Sequence, residues 1–392
     1  MSRVKFGDVV KDVKINIDRL NNPYEYYVAG DHMDSEDLTI HRKGCFTTDD
    51  VGPAFIRVFK PGQILYGSRR TYLKKIAVAD FEGVCANTTF VFETKDPHAF
   101  EQRLLPFIML SKDFTTWSIA KSKGSTNPYV LFSDLADFEF ELPPLEEQKV
   151  LVDKLWAAYR LKEAYKKLLV ATDEMVKSQF IEMFGDPQTN DKDLPVMHIN
   201  EVVSLLRNGA TIKQNKDREG YPITRIETIA NRTVDRSRMG YAGITDLSKY
   251  EDYILQDGDI LMSHINSVTH MGKSAIYERS ADENIIHGMN LLCLRPKVNI
   301  VMPYFLYRYF QMDYFYDLVL SITKKAVNQA SMTIKDLGNL TLIVPDMESQ
   351  MLYVDFVRQS DKSKFALQEA IKDLDALSKK IIAENLIPVG KE

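Results

Sequence analysis

Short, mainly apolar runs of the β-strand type recur along the chain between turns rich in Gly, Pro, Asn and Asp. Such runs, bounded by turn residues, are typical of β-strands. They form two groups, and helical segments are interleaved in each group. The first group includes residues 63–67, 88–93 and 138–142, and the second includes 259–263, 291–295 and 340–344. The pattern predicts an α+β fold class with two globular mixed α/β domains, at residues 1–145 and 197–346.

A long helical pattern follows each predicted domain. The first runs over residues 146–184, begins after Pro143 and Pro144 with two glutamates, and ends at the sequence FGDP. Acidic residues suit the positive N-terminus of a helix, and Gly then Pro suits its end. The second runs over residues 347–387, and 185–196 are predicted to be a linker. At 1.5 Å per residue each helix extends about 50 to 60 Å, which is too long for burial in one small domain.

The order of strand, proline, acidic residues, glutamine and long helix occurs twice. The sequence FELPPLEEQ ends at Gln148, and LIVPDMESQ ends at Gln350, 202 residues later. Upstream, Gly62 matches Gly258 at an offset of 196, and a loop insertion explains the difference of six residues. The chain is therefore predicted to be a pseudo-twofold internal repeat.

Apolar residues recur every seven positions in both long helices, which favours an antiparallel coiled-coil pair. The predicted seam residues are Leu161, Leu168 and Met175 in the first helix and Leu367, Leu374 and Ile381 in the second. Polar residues at alternate seam positions, such as Thr172 and Lys364, would fix the register. Two unconnected surface helices are the alternative.

Composition narrows the protein class. The 392 residues are 45% hydrophobic, enough for two domain cores, and they contain no run of about 18 apolar residues that would cross a membrane. The first residues lack the apolar core of a signal peptide, and the three cysteines are scattered, so we expect a cytoplasmic protein. A net charge of −5 argues against an evenly basic surface, although residues 57–75 hold six basic residues and no acid.

The junctions LPPLEEQ and VPDMESQ, the FGDP helix end and the two-halves organisation resemble the specificity (S) subunits of type I restriction–modification enzymes. The resemblance covers essentially the whole chain. The second junction departs from the family pattern, because Asp346 and Met347 stand where the first copy has Pro144 and Leu145, and Ser349 replaces a glutamate.

The resemblance implies a non-catalytic DNA sequence-recognition subunit. Each globular domain would be a target recognition domain that reads one half of a bipartite target in double-stranded DNA. The two long helices would separate the domains, set the spacer and dock two methyltransferase (M) subunits. Restriction (R) subunits would complete the type I endonuclease, and S-adenosylmethionine, ATP and Mg²⁺ are expected on the partner subunits rather than on this chain.

Candidate DNA-contacting residues lie in basic or small polar segments, where Arg, Lys, Asn and His suit phosphates and base edges. Solvated basic loops are the alternative for every segment. Two pairs of segments are equivalent in the repeat, namely 67–75 with 263–273 and 121–129 with 323–331, and a further segment spans 215–238. The candidates are Arg69, Arg70, Tyr72, Lys74, Lys75, Lys121, Lys123, Ser125, Asn127, Lys213, Arg218, Arg225, Arg232, His264, Asn266, Lys324, Lys325 and Asn328.

Motifs for catalysis on nucleic acids are missing from the sequence. There is no G-x-x-x-x-G-K-[ST] phosphate loop, and NNPY (21–24) and TNPY (126–129) have only one proline where adenine methyltransferases have two. No catalytic, cofactor-binding or metal-ligating residues are predicted. Two alternative functions stay open: a self-contained DNA-processing enzyme with a diverged site, and a helical scaffold that bridges proteins.

Overall fold

Two units of the chain pack largely within themselves. The computed structural model describes residues 2–18, 21–215, 219–280, 282–326 and 329–386. One unit comprises Met1–Lys167 with Leu367–Glu392, and the other comprises Leu168–Ala366.

The first unit combines short strands and short helices with parts of both long helices. Its helices are α1 (Phe6–Val9), α2 (Leu105–Leu110), α3 (Lys112–Ala120), α4 (Phe132–Ala136), the part of α5 (Leu145–Phe184) up to residue 167 and the part of α10 (Met347–Asn385) from residue 367. Its strands are β1 (Ser2–Lys5), β2 (Val10–Asp12), β3 (Tyr26–Val28), β4 (Gly44–Cys45), β5 (Phe55–Phe59), β6 (Ile64–Gly67), β7 (Ile76–Val78), β8 (Gly83–Ala86), β9 (Thr89–Thr94) and β10 (Glu139–Leu142).

The second unit has the same kinds of element, with two further short strands between α8 and α9. Its helices are the part of α5 from residue 168, α6 (Ile199–Val202), α7 (Pro303–Tyr309), α8 (Asp313–Ser321), α9 (Ile334–Gly338) and the part of α10 up to residue 366. Its strands are β11 (Val196–His198), β12 (Val203–Asn208), β13 (Gln214–Asn215), β14 (Tyr221–Ile223), β15 (Gly240–Ala242), β16 (Ile260–Ser263), β17 (Ile265–Asn266), β18 (Ser274–Ile276), β19 (Leu291–Pro296), β20 (Lys324–Lys325), β21 (Ala330–Ser331) and β22 (Thr341–Ile343).

The central sheets of the two units have the same topology. The strand order is β2-β9-β6-β7 in the first unit and β12-β19-β16-β18 in the second, with antiparallel pairing throughout. The register is also the same, because Ile64 opposes Phe92 and Ile260 opposes Leu294, at the offsets of 196 and 202 expected from the sequence. In addition, β1 pairs with β10 and β11 pairs with β22. The predicted internal repeat is therefore confirmed.

In each unit two short helices pack closely together, and a glycine on one of them makes the close approach possible. A Cβ placed on Gly7 of α1 would lie 2.6 Å from the Cβ of Ala136 in α4. In the second unit the glycine is Gly338 of α9, where an added Cβ would lie 2.3 Å from a side-chain atom of Asn200 in α6. The close packing of the helix pair is thus preserved, although the glycine lies on the first helix of the pair in one unit and on the second helix in the other.

The units differ outside this common frame. The first has a second sheet in the order β4-β3-β8-β5, in which β3 and β8 are parallel. The second has a small sheet in the order β13-β15-β14, with a separate apolar cluster around Ile223, Ala242 and Ile286. Divergence is therefore found in segments on both sides of β6 and β16 in the chain, outside the central sheets.

A buried glutamine joins each domain to its long helix. Gln148 and Gln350 are both 0% exposed. The Gln148 amide nitrogen donates to the carbonyls of Ala99 (3.0 Å) and Pro143 (2.8 Å), and its oxygen accepts the Glu101 N–H at 2.9 Å. Buried backbone groups need hydrogen-bond partners, and this one side chain is the partner of three of them.

Gln350 makes the equivalent bonds in the second unit. Its amide donates to the carbonyls of Ile300 (3.1 Å) and Pro345 (2.8 Å), and its oxygen accepts the Met302 N–H at 2.8 Å. Asp346, the departure noted in the sequence, accepts the Ser349 N–H at 2.9 Å at the start of α10. Such an N-cap stabilises the first turn, so the second junction replaces a proline by a capping aspartate.

The long helices pack against each other in antiparallel fashion within each unit. In the first, Lys162 Nζ lies 2.9 Å from Asp375 Oδ1, while Tyr159 shares an apolar cluster with Ile382. In the second, Lys364 pairs with Asp173, and the rings of Phe180 and Tyr353 are 5.4 Å apart. Neither long helix, nor any other helix in the described ranges, is long and apolar enough to cross a membrane.

The predicted seam of α5 is wrong by one position. Leu161, Leu168 and Met175 are 43%, 50% and 47% exposed. The inward positions are one residue later, at Lys162, which pairs with Asp375, and at Val176, which is buried in the core of the second unit. Tyr159 lies on the same face of α5 as Lys162, and its hydroxyl donates to Asp37 at 2.6 Å.

We expect Gln350→Leu to destabilise the second unit by about 3 kcal/mol or more, because it leaves buried backbone groups without partners. The matched control is Gln359→Leu on the same helix, where the side chain is exposed and the expected change is about 0.5 kcal/mol or less. Urea unfolding of the full chain measures both. Equal losses in the two variants would contradict a bridging role for Gln350.

Candidate nucleic-acid interface

Two segments that the sequence predicts separately as DNA-contacting lie side by side in the first unit. Residues 67–75 and 121–129, called the first hairpin surface, are joined by a β-bridge between Arg69 and Tyr129. The backbone N–H of Arg70 donates to the Pro128 carbonyl at 2.7 Å. Tyr129 also bridges to Lys123 on its other side. The strand β6 therefore extends into a small three-part ladder at the surface.

The second unit builds the same ladder from equivalent residues. Residues 263–273 and 323–331, called the second hairpin surface, contribute strands in the order β17-β21-β20. Ser331 opposes Ile265 on one side and Lys324 on the other, as Tyr129 opposes Arg69 and Lys123. The repeat therefore extends from the core to this surface.

Several lysines of the first hairpin surface are already engaged. Lys74 Nζ lies 2.6 Å from Glu36 Oε1, Lys75 donates to the Gly30 carbonyl, and Lys123 Nζ lies 2.9 Å from an oxygen of Asp134. The hydrogen bond from Lys123 is the main reason why the pKa of Asp134 is lowered. These three lysines thus contribute less free charge than the sequence suggests.

Other candidates on the same surface point to solvent. Arg69 and Arg70 are exposed and make no side-chain hydrogen bond or ion pair with any residue that the structure describes. Lys121 is exposed, with Nζ 4.8 Å from the centre of the Trp117 ring. Tyr72 is 53% exposed, and Ser125 and Asn127 are exposed as well.

The second hairpin surface carries different side chains. Lys324 and Lys325 are exposed, and neither amine has a partner within the described ranges. The Asn266 amide donates to Ser263 Oγ at 3.2 Å and accepts the Ser267 N–H at 2.8 Å. His264 is buried beneath the ladder, where its carbonyl accepts the Met332 N–H at 3.1 Å.

The remaining candidates of the second unit are scattered or engaged. Lys213 is exposed. The Arg225 guanidinium donates to Gln214, and that of Arg232 donates to Gln311 Oε1 at 2.7 Å. Arg218 and Asn328 lie outside the described residues.

A family model described as the type I restriction modification DNA specificity domain matches residues 20–169 and 191–374. The two matches cover most of the chain, and each takes in one hairpin surface. The chain belongs to this family. The resemblance predicted from the two glutamine junctions is thereby confirmed.

Curated relatives of this specificity-domain chain carry related names. It is 39% identical over 191 residues to the type I restriction enzyme MjaX specificity subunit, as named in Methanocaldococcus jannaschii, covering 48% of this chain and 44% of that protein. It is 20% identical over 260 residues to the type I restriction enzyme EcoKI specificity subunit of Escherichia coli, covering 62% and 56%. The chain thus spans about half the length of the curated relatives it matches.

Solved structures share the fold over nearly the full length. One chain, from a study of complex assembly and conformational transition of the type I R-M system, is 21% identical with a TM-score of 0.55, covering 98% of this chain and 97% of that one. The type I restriction–modification S subunit from M. genitalium is 12% identical with a TM-score of 0.61, covering 99% and 96%. These likenesses confirm the predicted fold class.

A group that resembles a metal site occurs in the first unit of the specificity-domain chain. Ligand atoms of Asp37, His41 and Glu163 lie within 4.8 Å of one another. However, the Lys166 ammonium group is 2.7 Å from Glu163 and 3.9 Å from Asp37. The lysine already supplies the positive charge that a cation would bring, so the group is explained as a structural ion-pair network.

Tyr129 and Ser331 lie within the predicted segments 121–129 and 323–331 but are not among the candidate residues. The composition of TNPY is typical of a turn. In the structure Tyr129 is the central element of the ladder, and Ser331 takes its place at an offset of 202. The sequence pairs the two segments at this offset but gives no local signal for the bridge that joins Tyr129 to Arg69.

Two buried histidines in the second unit predict a pH dependence of stability. Burial lowers the pKa of His287 to about 4 and also lowers the pKa of His264. The unfolded state binds protons below its pKa of about 6.5, whereas the folded state does not until the lower pKa is reached. Stability is therefore fully present above about pH 6.5 and falls as the pH decreases toward 4.

We expect His287 alone to reduce the free energy of unfolding by about 2 kcal/mol between about pH 7 and pH 5. Urea unfolding of wild type and His287→Gln at both pH values measures this, since the glutamine amide can still donate to the Leu291 carbonyl, which is 2.9 Å from His287 Nε2. The variant should lose less stability over this interval. An identical pH dependence of the two proteins would contradict the assignment.

Proposed function

We propose that this chain is the DNA sequence-recognition subunit of a type I restriction–modification complex. One observation carries the proposal: the two units present equivalent ladders, at Arg69–Tyr129–Lys123 and Ile265–Ser331–Lys324, on equivalent sheets. A repeated surface with different side chains suits a protein that reads two different halves of an interrupted sequence. Exposed basic residues at both ladders suit the phosphate backbone that DNA presents everywhere.

Under this proposal the chain performs no chemistry itself. Methyl transfer and cleavage belong to methyltransferase and restriction subunits, which hold S-adenosylmethionine, ATP and Mg²⁺, in the cytoplasm. The names of the relatives support this division, because both are specificity subunits of an enzyme. No specific observation favours the DNA-processing enzyme or the scaffold.

The long helices are proposed to set the spacer and to bind two methyltransferase subunits. At 1.5 Å per residue, α5 and α10 are each about 60 Å long. Apolar side chains on the outward side of α5, such as Leu168 and Met175, are about half exposed in the second unit. Exposed apolar residues at positions that the helix pair does not use are typical of a surface for another protein.

Exchange of residues 1–145 for the corresponding domain of another family member should change one half of the methylated sequence and leave the other half unchanged. The physical reason is that each unit contains its own sheet and its own ladder. Methylation mapping of host DNA with the wild-type and the exchanged chain measures this. A change in both halves, or no split sequence at all with the wild type, would refute the proposed function.

Leu168→Glu and Met175→Glu should each reduce copurification with methyltransferase subunits at least tenfold while leaving unfolding nearly unchanged, because both side chains are exposed. Ser178→Glu adds the same charge at an exposed polar position of α5 and serves as the matched control. Undiminished copurification of both apolar variants would place the docking surface elsewhere.

A further inference from the structure

Apart from Lys121, the free positive charge of the first hairpin surface lies on two adjacent arginines. Lys74 and Lys123 are neutralised by Glu36 and Asp134, and Lys75 is bonded to a backbone carbonyl. Arg69 and Arg70, in contrast, have no side-chain partner among the residues described. A guanidinium left unpaired beside three engaged lysines is available to a ligand.

The backbone under the two arginines is fixed on both sides. Arg69 belongs to the ladder with Tyr129, and the Arg70 N–H donates to the Pro128 carbonyl at 2.7 Å. The Arg70 carbonyl accepts the Leu73 N–H at 2.8 Å, and Arg70 has a left-handed backbone with φ of 52°. A non-glycine residue in this region costs about 1 kcal/mol, and the bonds around it hold it there.

A fixed backbone distinguishes base reading from phosphate binding. A phosphate contact needs positive charge near the DNA backbone, which a flexible lysine supplies. Reading guanine is favoured by two parallel N–H groups aimed at N7 and O6, which the planar guanidinium presents in a rigid fork. Fixing the Cα positions of Arg69 and Arg70 serves the second task and is unnecessary for the first.

The second unit lacks this feature at the equivalent place. At the offset of 196, Ile265 and Asn266 stand where the first unit has Arg69 and Arg70. The amide of Asn266 is already hydrogen-bonded to Ser263 and Ser267. Within the described part of the second hairpin surface, the lysines of β20, Lys324 and Lys325, are exposed without a partner. The arginine pair is thus a property of the first unit and not of the shared frame.

We propose that Arg69 and Arg70 determine guanine in the half-site bound by the first unit, by donating to N7 and O6 in the major groove. This inference rests on the proposed function and adds the base class and the residues that select it. Lys121 and the lysines of the second hairpin surface are left to contact phosphates. The half-site of the first unit therefore contains at least one guanine that the half-site of the second unit does not need.

The test uses the full chain in complex with its methyltransferase subunits and duplexes carrying the mapped sequence. In the half-site that changes on exchange of residues 1–145, each guanine is replaced in turn by adenine or by 7-deazaguanine, which lacks the N7 acceptor. For wild type we expect one or two guanines whose replacement by adenine weakens binding roughly 5- to 150-fold. The 7-deaza replacement should weaken binding at the same positions.

Arg69→Ala and Arg70→Ala should abolish that discrimination, so that the guanine and adenine duplexes bind within about twofold of each other. Arg70→Gly is the second variant at its position, since glycine adopts a φ of 52° without strain and keeps the turn intact. Lys121→Ala should instead weaken all sequences alike and lower the slope of log affinity against log salt by about 1. Arg3→Ala, an exposed arginine paired with Glu139, controls for loss of an arginine elsewhere in the unit.

Two results would overturn the inference while leaving the proposed function intact. One is a split methylated sequence whose first half-site contains no guanine. The other is an arginine variant that weakens every duplex by the same factor and keeps the wild-type preference. Absence of any split sequence with wild type would instead refute the proposed function itself.

Discussion

The buried glutamine at each junction is the constraint on which the rest of the structure depends. Gln148 and Gln350 each tie the first turn of a long helix to two backbone segments of the same unit, and neither amide is exposed. A side chain bonded on three sides fixes the rotation of the helix as well as its position. That rotation decides which face meets the partner helix, and so it brings Lys162 to Asp375 in one unit and Lys364 to Asp173 in the other.

The two ion pairs show how closely the repeat is kept. Lys162 and Lys364 are 202 residues apart, and so are Asp173 and Asp375. Each long helix therefore carries one lysine and one aspartate at matching positions and pairs through both. Partly exposed ion pairs of this kind contribute little stability on their own. A shift in the register of the two helices would, however, separate the lysine from the aspartate in both pairs. They favour one alignment of the helices over its neighbours.

Local signals made the frame predictable from the sequence. The strand–proline–glutamine junction and both helix starts depend on neighbouring residues, and the repeat offset located the central strands. The seam of α5 could not be predicted in this way, because Leu161, Leu168 and Met175 form a seven-residue series on the exposed face. The inward position is occupied by Lys162, whose partner lies 213 residues away. The state of the candidate lysines was equally hidden, since Glu36 and Asp134 neutralise Lys74 and Lys123 from other segments.

The central sheets and the hairpin surfaces can vary independently, because different hydrogen bonds hold them. At the tips of β6 and β16, Ser68 and His264 are equivalent, and the carbonyl of each accepts an N–H from the next ladder residue, Val130 or Met332. Those backbone hydrogen bonds do not depend on the side chains of the residues that follow. The following residues are Arg69 and Arg70 in one unit and Ile265 and Asn266 in the other. The glutamine junctions lie in the buried cores, and their hydrogen bonds go to other residues. A side chain at the tip can therefore change without altering the helix rotation that aligns the pair, which is the property a family of sequence-reading proteins needs.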